Sequence, residues 1–232
     1  MGQRRAELAF SFARYAEDFD EHIQKSIRGY TDLLSDCVAV SEYFVEDNST
    51  VFDIGCSTGN FLAHVIERNQ ERAPNAQYVG IDIEANFRER WERLEEQGAK
   101  LHIGDIRFFP IPAHCSLVTS IFSLQFISEH ERQQIVDQIY RALLPGGALI
   151  VAEKTLAKCP KLQDMLTFIH YDYKSHYFSE SEILEKERSL RPIMKLWSED
   201  QIFRSLVTAG FLEGNVQSFW RSHGFTAFIA LR

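Results

Sequence analysis

The stretch Val51-Phe52-Asp53-Ile54-Gly55-Cys56-Ser57-Thr58-Gly59-Asn60 decides the fold of this chain. An apolar run that favours a β-strand ends near an acid, and a loop with two glycines then leads into a predicted helix. Glycines are needed in such a loop because the chain turns sharply and the backbone must approach a ligand without a Cβ in the way. Alone, the loop is a weak signal, so its meaning depends on the segments that follow it.

Three further segments continue the pattern. Residues 78–82 form a second apolar run that ends at an acid, and residues 101–106 and 143–151 supply two more runs. In a parallel sheet, the carboxyl ends of the strands meet at one edge, and ligands bind there. The residues expected to converge at this edge are Asp53, Gly55, Asp82 and Asp105. Taken singly, each acid is equally well explained as a helix N-cap or a turn residue.

Apolar runs and helical patterns alternate along most of the chain, which is typical of a parallel sheet with helices on both faces. The fold class predicted is therefore α/β. The predicted strands are 50–54, 77–82, 100–104, 116–122, 148–153, 211–221 and 225–231, and the helices that follow them are 60–71, 85–97, 129–143 and 199–209. Four regions are predicted: an N-terminal helical cap (1–46, broken at Gly29), an α/β core (47–153), a helical lid insert (154–197) and the end of the core sheet (198–232).

Composition excludes several classes of protein. The chain has 232 residues and a net charge of −8, which makes it a poor candidate for binding long nucleic acids through their phosphates. No apolar run reaches the roughly 18 residues of a membrane span, and the N-terminus has no signal-peptide core. The four cysteines show no CxxC spacing, and the eight histidines show no HxxxH or HExxH. We therefore expect a cytoplasmic protein with reduced thiols and no metal site.

In this order, the four segments resemble those of the class I S-adenosylmethionine (SAM)-dependent methyltransferases. The resemblance implies SAM as cofactor and a Rossmann-like, seven-stranded, mostly parallel sheet that ends in an antiparallel hairpin. The alternative is a NAD-binding protein, which would carry a full GxGxxG and an acid about 20 residues further on. Here position 57 is Ser, and Asp82 lies further along the chain than that spacing.

A narrower resemblance connects the chain, from residue 19 onward, with the carboxy-SAM synthases, which make a precursor for a tRNA wobble-uridine modification. It is carried by Phe19–Ile23, Ser26–Tyr30, Ser123–Phe126, His170–Lys174 and Glu180–Lys186. By this resemblance Tyr30 closes over SAM, Asp82 binds the ribose hydroxyls, and Asp105 accepts a hydrogen bond from the adenine amino group. The implied cofactor positions are Tyr30, Asp53, Gly55, Cys56, Ser57, Gly59, Asp82, Ile83, Asp105, Ile106 and Ile121.

Two positions depart from the synthase pattern. Those enzymes hold an Asn where this chain has Ile121, and an Arg that grips the added carboxylate where this chain has Glu187. A glutamate would repel a carboxylate at close range but tolerate a cationic methyl sulfonium. Arg188 could replace the missing arginine only if the helix shifted by one residue, about 100° around its axis. We therefore expect methyl transfer to a small-molecule or carrier-tethered acceptor. The alternatives are a carboxy-SAM synthase that uses prephenate and a non-catalytic SAM-binding partner subunit.

The predicted lid supplies the other candidates. His170 is the candidate catalytic base because its ordinary pKa is near neutral, with Asp172 beside it and Glu187 as a third catalytic candidate. A structural His170–Asp172 hydrogen bond that anchors the lid is the alternative. The substrate-contacting candidates are Tyr171, Lys174 and Arg188.

Four further expectations concern the acceptor, the surface and the oligomeric state. The aromatic residues Tyr171, Tyr173, Tyr177, Phe178, Trp197 and Trp220 either line an acceptor pocket or belong to the core. The Glu/Lys run 180–188 is predicted to be a solvated helix face with a Glu182–Lys186 pair. No Asn-Pro-Pro-Tyr element follows the fourth strand, which disfavours methylation of nucleic-acid bases, and a homodimer is plausible by resemblance.

Overall fold

The computed structural model describes residues 18–232, which fold into one sheet flanked by helices on both faces. Two helices come first, α1 over Phe19–Ser26 and α2 over Tyr30–Ser41. Gly29 separates them in a left-handed conformation, with φ of 75°, as predicted. Residues 1–17, the beginning of the predicted N-terminal cap, lie outside the described residues.

The sheet has the predicted topology. Its strands are β1 (Thr50–Ile54), β2 (Gln77–Asp82), β3 (Lys100–Ile103), β4 (Cys115–Ile121), β5 (Leu143–Leu156), β6 (Trp197–Ser198), β7 (Val216–Ser222) and β8 (Phe225–Leu231). Their order in space is β3-β2-β1-β4-β5-β8-β7, with the two-residue β6 beside β5 as an unpredicted eighth strand. Strands β1 to β5 run parallel, and β8 pairs antiparallel with β5 and β7. The Rossmann-like fold with a C-terminal antiparallel hairpin is therefore confirmed.

Six more helices connect and cover the strands. They are α3 (Asn60–Asn69), α4 (Glu92–Glu96), α5 (Glu129–Ala142), α6 (Pro160–Lys174), α7 (Glu180–Leu190) and α8 (Glu199–Ala209), and short 3-10 helices lie at Ala85–Arg90, Leu124–Phe126 and Glu213–Asn215. No helix within residues 18–232 is both long enough and apolar enough to span a lipid bilayer.

The core has two halves, one on each face of the sheet. One half contains Leu33, Leu62 and Leu117, and the other contains Ile139 and Leu206; all are at most 1% exposed. Residues 115–120 of β4 are buried without interruption, as expected for a strand covered on both faces. Because the sheet is rigidly packed, the loops at the carboxyl ends of its strands are held in fixed positions.

Several predicted boundaries were wrong. The helix predicted over 85–97 is a 3-10 helix followed by the short α4, and buried Trp91 lies at their junction, where its indole N–H donates to the Ser57 carbonyl at 2.7 Å. Strand β5 begins at Leu143 rather than at 148, because the Pro-Gly-Gly segment joins the sheet and the Gly146 N–H donates to the Arg232 carbonyl at 2.9 Å. It also continues to Leu156, past the predicted start of the insert. Strand β7 begins only at Val216, after a 3-10 turn.

The insert packs against the first helix. The Tyr173 hydroxyl donates to the Gln24 carbonyl at 2.9 Å, and the rings of Phe178 and His22 lie 5.2 Å apart. Helices α6 and α7 therefore lie beside α1 above the carboxyl ends of the strands, which is the position expected of a lid.

Candidate functional site

A cavity of about 340 Å³ lies at the carboxyl ends of β1, β2 and β4. This is the edge at which the strand order reverses, between β1 and β4, and open parallel sheets bind ligands at such a point. The cavity is bounded below by the strand ends and above by residues of α1, α6 and α7. Its size falls in the range of small-molecule sites, which is about 300–1,000 Å³.

The glycine loop after β1 forms the floor of the cavity. Gly55 has a φ of 76°, and a Cβ there would lie 1.5 Å from the Ser123 hydroxyl oxygen. Ser57 also has a positive φ, of 46°, and its backbone N–H donates to a carboxylate oxygen of Asp82 at 2.8 Å. Gly55 is thus required by the close packing of the loop against Ser123, and the loop presents its backbone to the cavity.

Asp82 closes the second strand and lines the cavity. Its carboxylate accepts backbone N–H groups from Ser57 at 2.8 Å and from Glu84 at 2.9 Å. Burial raises the pKa of this carboxyl group, and the two backbone donors oppose the shift. Each oxygen keeps a lone pair for a further donor, so the group can accept hydrogen bonds from a pair of ribose hydroxyls.

Asp105 lines the cavity at the end of the third strand. Arg107 donates from Nε to both of its carboxylate oxygens, at 3.0 Å and 2.9 Å, and this pairing holds the pKa of Asp105 below its usual range. An adenine amino group placed here, as the resemblance implies, would share Asp105 with Arg107.

Asp53 is the most deeply buried acid of the cofactor edge. Burial raises its pKa to about 7, while a hydrogen bond from the Thr119 hydroxyl, at 2.6 Å, opposes the shift and Asp82 adds to it. The carboxyl group therefore titrates near neutral pH, beside the glycine loop.

Aromatic side chains connect the cofactor edge with the lid. The ring of Phe122 lies 6.2 Å from that of Tyr30 and 5.6 Å from that of Phe225, which in turn lies 5.2 Å from His170. Phe122 has a φ of 58°. This backbone conformation is uncommon for an aromatic residue, and such conformations cluster at functional sites.

The lid end of the cavity carries all the lysines that line it. It is lined by Lys154, His170, Lys174, Lys186 and Glu187. Lys154 Nζ lies 3.2 Å from a carboxylate oxygen of Glu187, and Lys186 contacts the His22 ring. Burial lowers the pKa of Lys186 to about 7, with Lys174 adding to the shift and Glu187 opposing it.

His170 is a weak base in this environment. Burial lowers its pKa to about 3, and the positive charges of Lys154 and Lys174 add to the shift. The imidazole is therefore neutral at physiological pH, and its buried Nδ1 has no hydrogen-bond partner among residues 18–232. It can accept a hydrogen bond from an acceptor molecule, but it holds a proton poorly.

Most of the predicted cofactor positions converge. Those that line the cavity are Tyr30, Asp53, Gly55, Cys56, Ser57, Asp82, Ile83, Asp105, Ile106 and Ile121. Gly59 does not line it; it precedes α3 with a φ of 80° and serves the turn. Among the lid candidates, His170, Lys174 and Glu187 line the cavity.

Three lid residues that were predicted to contact substrate or to act in catalysis do not line the cavity. Asp172 is exposed, because it lies two residues from both His170 and Lys174 and therefore on another face of α6. No hydrogen bond joins its side chain to His170, so the alternative of a structural pair is wrong as well. Tyr171 and Arg188 also lie off the cavity wall; Arg188 is exposed, one residue beyond Glu187 on α7.

The structure rules out one of the two alternatives for the aromatic residues and corrects the prediction for the run 180–188. None of the six aromatic residues considered for an acceptor pocket lines the cavity; Trp197, for example, packs against Arg132 at 4.2 Å. The run 180–188 is not a uniformly solvated face, because Lys186 and Glu187 turn inward. Glu182 caps α7 through Ser179, and no Glu182–Lys186 pair forms.

Several residues that line the cavity were not predicted from the sequence. Lys154, Lys186 and His22 reach the site from β5, α7 and α1, and Ser123 packs under Gly55. Lys186 lies three residues after the buried Ile183 and four before Leu190, so this helical spacing could have indicated that it turns inward. No group of three or more His, Cys, Asp or Glu side chains within residues 18–232 could hold a metal ion.

Comparison with known proteins identifies the class. Residues 51–147 match the model of a methyltransferase domain family. A carboxy-S-adenosyl-L-methionine synthase of Salmonella paratyphi C is 32% identical over 225 residues, which cover 94% of this chain and 89% of the relative. The synthase of Staphylococcus epidermidis is 28% identical, with 96% of each chain covered.

Solved structures show the same fold at lower identity. An O-methyltransferase family protein from Burkholderia thailandensis superposes with a TM-score of 0.62 and 19% identity, covering 97% of this chain and 64% of the other. The mitomycin 7-O-methyltransferase MmcR gives a TM-score of 0.56 and 15% identity, covering 96% of this chain and 61% of the other.

The fold and the cofactor edge thus define a class I SAM-dependent methyltransferase, an enzyme that uses SAM. Within that class, the chain belongs to the carboxy-SAM synthase branch.

Proposed function

We propose that this enzyme transfers the methyl group of SAM to a small-molecule or carrier-tethered acceptor. The observation that carries the proposal is Glu187, which lines the lid end of the cavity and is paired with Lys154 at 3.2 Å. It stands where the synthase resemblance implies a carboxylate-binding arginine. Ile121, which also lines the cavity, is apolar where that resemblance implies an asparagine.

The chemistry of Glu187 favours a methyl sulfonium over a carboxylated one. A carboxylate added to the methyl group would meet a second carboxylate in a partly desolvated site, unless Glu187 left Lys154. The methyl group of SAM carries no negative charge, and the sulfonium is a cation. It therefore gains from a nearby carboxylate rather than being repelled by it.

In the proposed reaction, a lone pair on the acceptor forms the new bond to the methyl carbon. The carbon–sulfur bond breaks with its electron pair staying on sulfur, and S-adenosylhomocysteine is left. The enzyme contributes mainly by aligning the acceptor and excluding water. His170 supports this step by accepting a hydrogen bond from the acceptor, and the acceptor's proton passes on to solvent because the imidazole is too weak a base to retain it.

Carboxy-SAM synthesis is the second candidate. It is favoured by the relatives named as such synthases, which align over nearly the whole chain. Lys154, Lys174 and Lys186 also line the lid end and could attract a carboxylate if Glu187 turned away.

Mass spectrometry of the small molecule released from purified protein distinguishes the two candidates, with and without added SAM and prephenate, the carboxyl donor that the resemblance implies. We expect SAM or S-adenosylhomocysteine from the wild type under both conditions. Glu187→Arg should retain carboxy-SAM supplied in solution, whereas Glu185→Arg, an exposed position of the same helix, should not. Formation of carboxy-SAM by the wild type with prephenate would overturn the proposal.

A further inference from the structure

Lys174 is a buried cation that forms no ion pair within the described part of the protein. It is 4% exposed, is the last residue of α6 and lines the cavity. Its Nζ lies 5.9 Å from the Phe178 ring. Burial lowers its pKa, and the longer-range attraction of Glu187 only opposes this shift. Burying an ammonium group is costly unless an anion compensates it.

The surroundings of Lys174 are also cationic. Lys154 and Lys186 line the same end of the cavity, and the acid that faces them, Glu187, is already engaged by Lys154. His22 and His170 are neutral near pH 7, because burial lowers their pKa values to about 4 and about 3. This concentration of positive charge runs against the net charge of −8 of the whole chain.

The bound cofactor adds a further positive charge, and Glu187 supplies only one negative charge against the sulfonium and the lysines. The sulfonium of SAM is itself a cation, and it would lie in the same cavity as the three lysines. An anion between the sulfonium and the lysines removes this repulsion. The carboxylate of SAM belongs, by the resemblance, at the Gly55–Ser57 loop, whereas Lys174 stands on the lid.

We propose that Lys174 binds an oxyanion of the methyl acceptor, a carboxylate or a phosphate. The inference rests on the proposed function in so far as the bound molecule is the one that is methylated. The substrate class is therefore an anionic small molecule, or an acceptor attached to a carrier through an anionic group. Lys174 fixes one end of it, and the atom to be methylated points toward the sulfonium.

The test is calorimetric titration of protein saturated with S-adenosylhomocysteine, using matched pairs of anionic and neutral probes. The pairs are 4-hydroxybenzoate with 4-hydroxybenzamide, and phenyl phosphate with phenol. At least one anion should bind about tenfold or more tightly than its neutral partner, the scale of one charge-assisted hydrogen bond. Lys174→Met should abolish this preference, and Lys161→Met, an exposed position of the same helix, should keep it.

A second measurement keeps the test independent of folding defects. Without an anion, Lys174→Met should melt at the same or a higher temperature than the wild type, because the cost of a buried charge is removed. Lys174→Arg should retain the preference for anions. Equal binding of anion and neutral partner by the wild type, or an unchanged preference in Lys174→Met, overturns the proposal.

The anion could belong to the acceptor or to the cofactor. Measuring the affinity for S-adenosylhomocysteine with no other ligand present distinguishes the two. If Lys174→Met loses that affinity, the anion is the carboxylate of the cofactor and the assignment to the acceptor is wrong. These titrations measure binding without turnover. They can therefore succeed or fail independently of the mass-spectrometric test of methyl transfer.

Discussion

At Gly55 the backbone passes so close to Ser123 that a side chain cannot be accommodated. A Cβ there would lie 1.5 Å from the Ser123 Oγ and 2.7 Å from its Cβ, and the φ of 76° is itself unfavourable for other residues. Gly55→Ala should cost about 1–3 kcal/mol of stability and weaken binding of S-adenosylhomocysteine, because the loop must move. Thermal melting and calorimetry would measure the two effects.

Gly146→Ala is the matched control for this substitution. Gly146 has a similar φ, of 83°, but a Cβ there would meet no atom within 4 Å. It should show only the conformational cost and bind S-adenosylhomocysteine normally. Equal affinities in the two variants would contradict the role assigned to the Gly55 loop.

Single residues also show what could be predicted of the site. Asp53, Asp82 and Asp105 were predicted because each lies at or next to the end of an apolar run, and parallel strands bring such ends together. Lys154 was missed although it directly follows the predicted strand 148–153. A lysine at this place in a sequence is not by itself a sign of a binding site. Its role at the cavity becomes visible only through its ion pair with Glu187, which is remote in sequence.

Among the elements, α6 and α7 determine which lid residues reach the cavity. His170 and Lys174 are four residues apart and share one face of α6, as their spacing predicted. On α7 the inward face carries Lys186 and Glu187, between the apolar residues Ile183 and Leu190, and leaves Arg188 outside. The prediction of a solvated face failed because these two apolar residues are seven positions apart in a run of charged side chains and mark the inward face only weakly.

Four elements surround Lys186, whose ionisation should make the proposed anion site dependent on pH. Lys186 of α7 faces His22 of α1, Lys174 of α6, Glu187 of its own helix and Lys154 of β5. Because its pKa is lowered to about 7, Lys186 is an ammonium below that pH and neutral above it. His22 does not titrate in this range, since burial and nearby lysines lower its pKa to about 4.

We therefore expect the affinity for 4-hydroxybenzoate to fall as the pH rises through about 7, while the carboxylate of the probe stays ionised. Calorimetry from about pH 6 to about pH 8 would measure this, with S-adenosylhomocysteine bound throughout. Lys186→Arg, which keeps its charge over this range, should bind the probe equally well across it. A pH-independent affinity in the wild type, or an unchanged slope in the variant, would contradict the prediction.

At the scale of the whole molecule, the outer face of α6 is the candidate contact surface for the predicted homodimer. Leu162, Met165, Phe168 and Ile169 are each at least 40% exposed, and their spacing of three and four residues places most of them on one helix face. An apolar patch of this kind on a lid is typical of a protein interface. We propose that it pairs with the same patch of a second copy, which suits a two-fold symmetric contact.

Phe168→Glu should accordingly convert a dimer into a monomer, as measured by size-exclusion chromatography with light scattering. The control is Phe108→Glu, since Phe108 is 82% exposed on a different part of the molecule. A monomeric wild type, or a dimer that survives Phe168→Glu, would contradict the proposed contact.

The α/β fold, the order of its main elements and the cofactor edge could be predicted from local patterns, namely apolar runs, glycines that need unusual backbone angles, and acids at strand ends. The branch of the superfamily came instead from the resemblance of whole segments to the carboxy-SAM synthases. What the lid presents to the cavity emerged only from the three-dimensional packing. The pairing of Glu187 with Lys154, the inward turn of Lys186 and the burial of Lys174 depend on how α6 and α7 rotate against a distant sheet. That rotation is set by packing between segments remote in the chain, which local patterns do not encode.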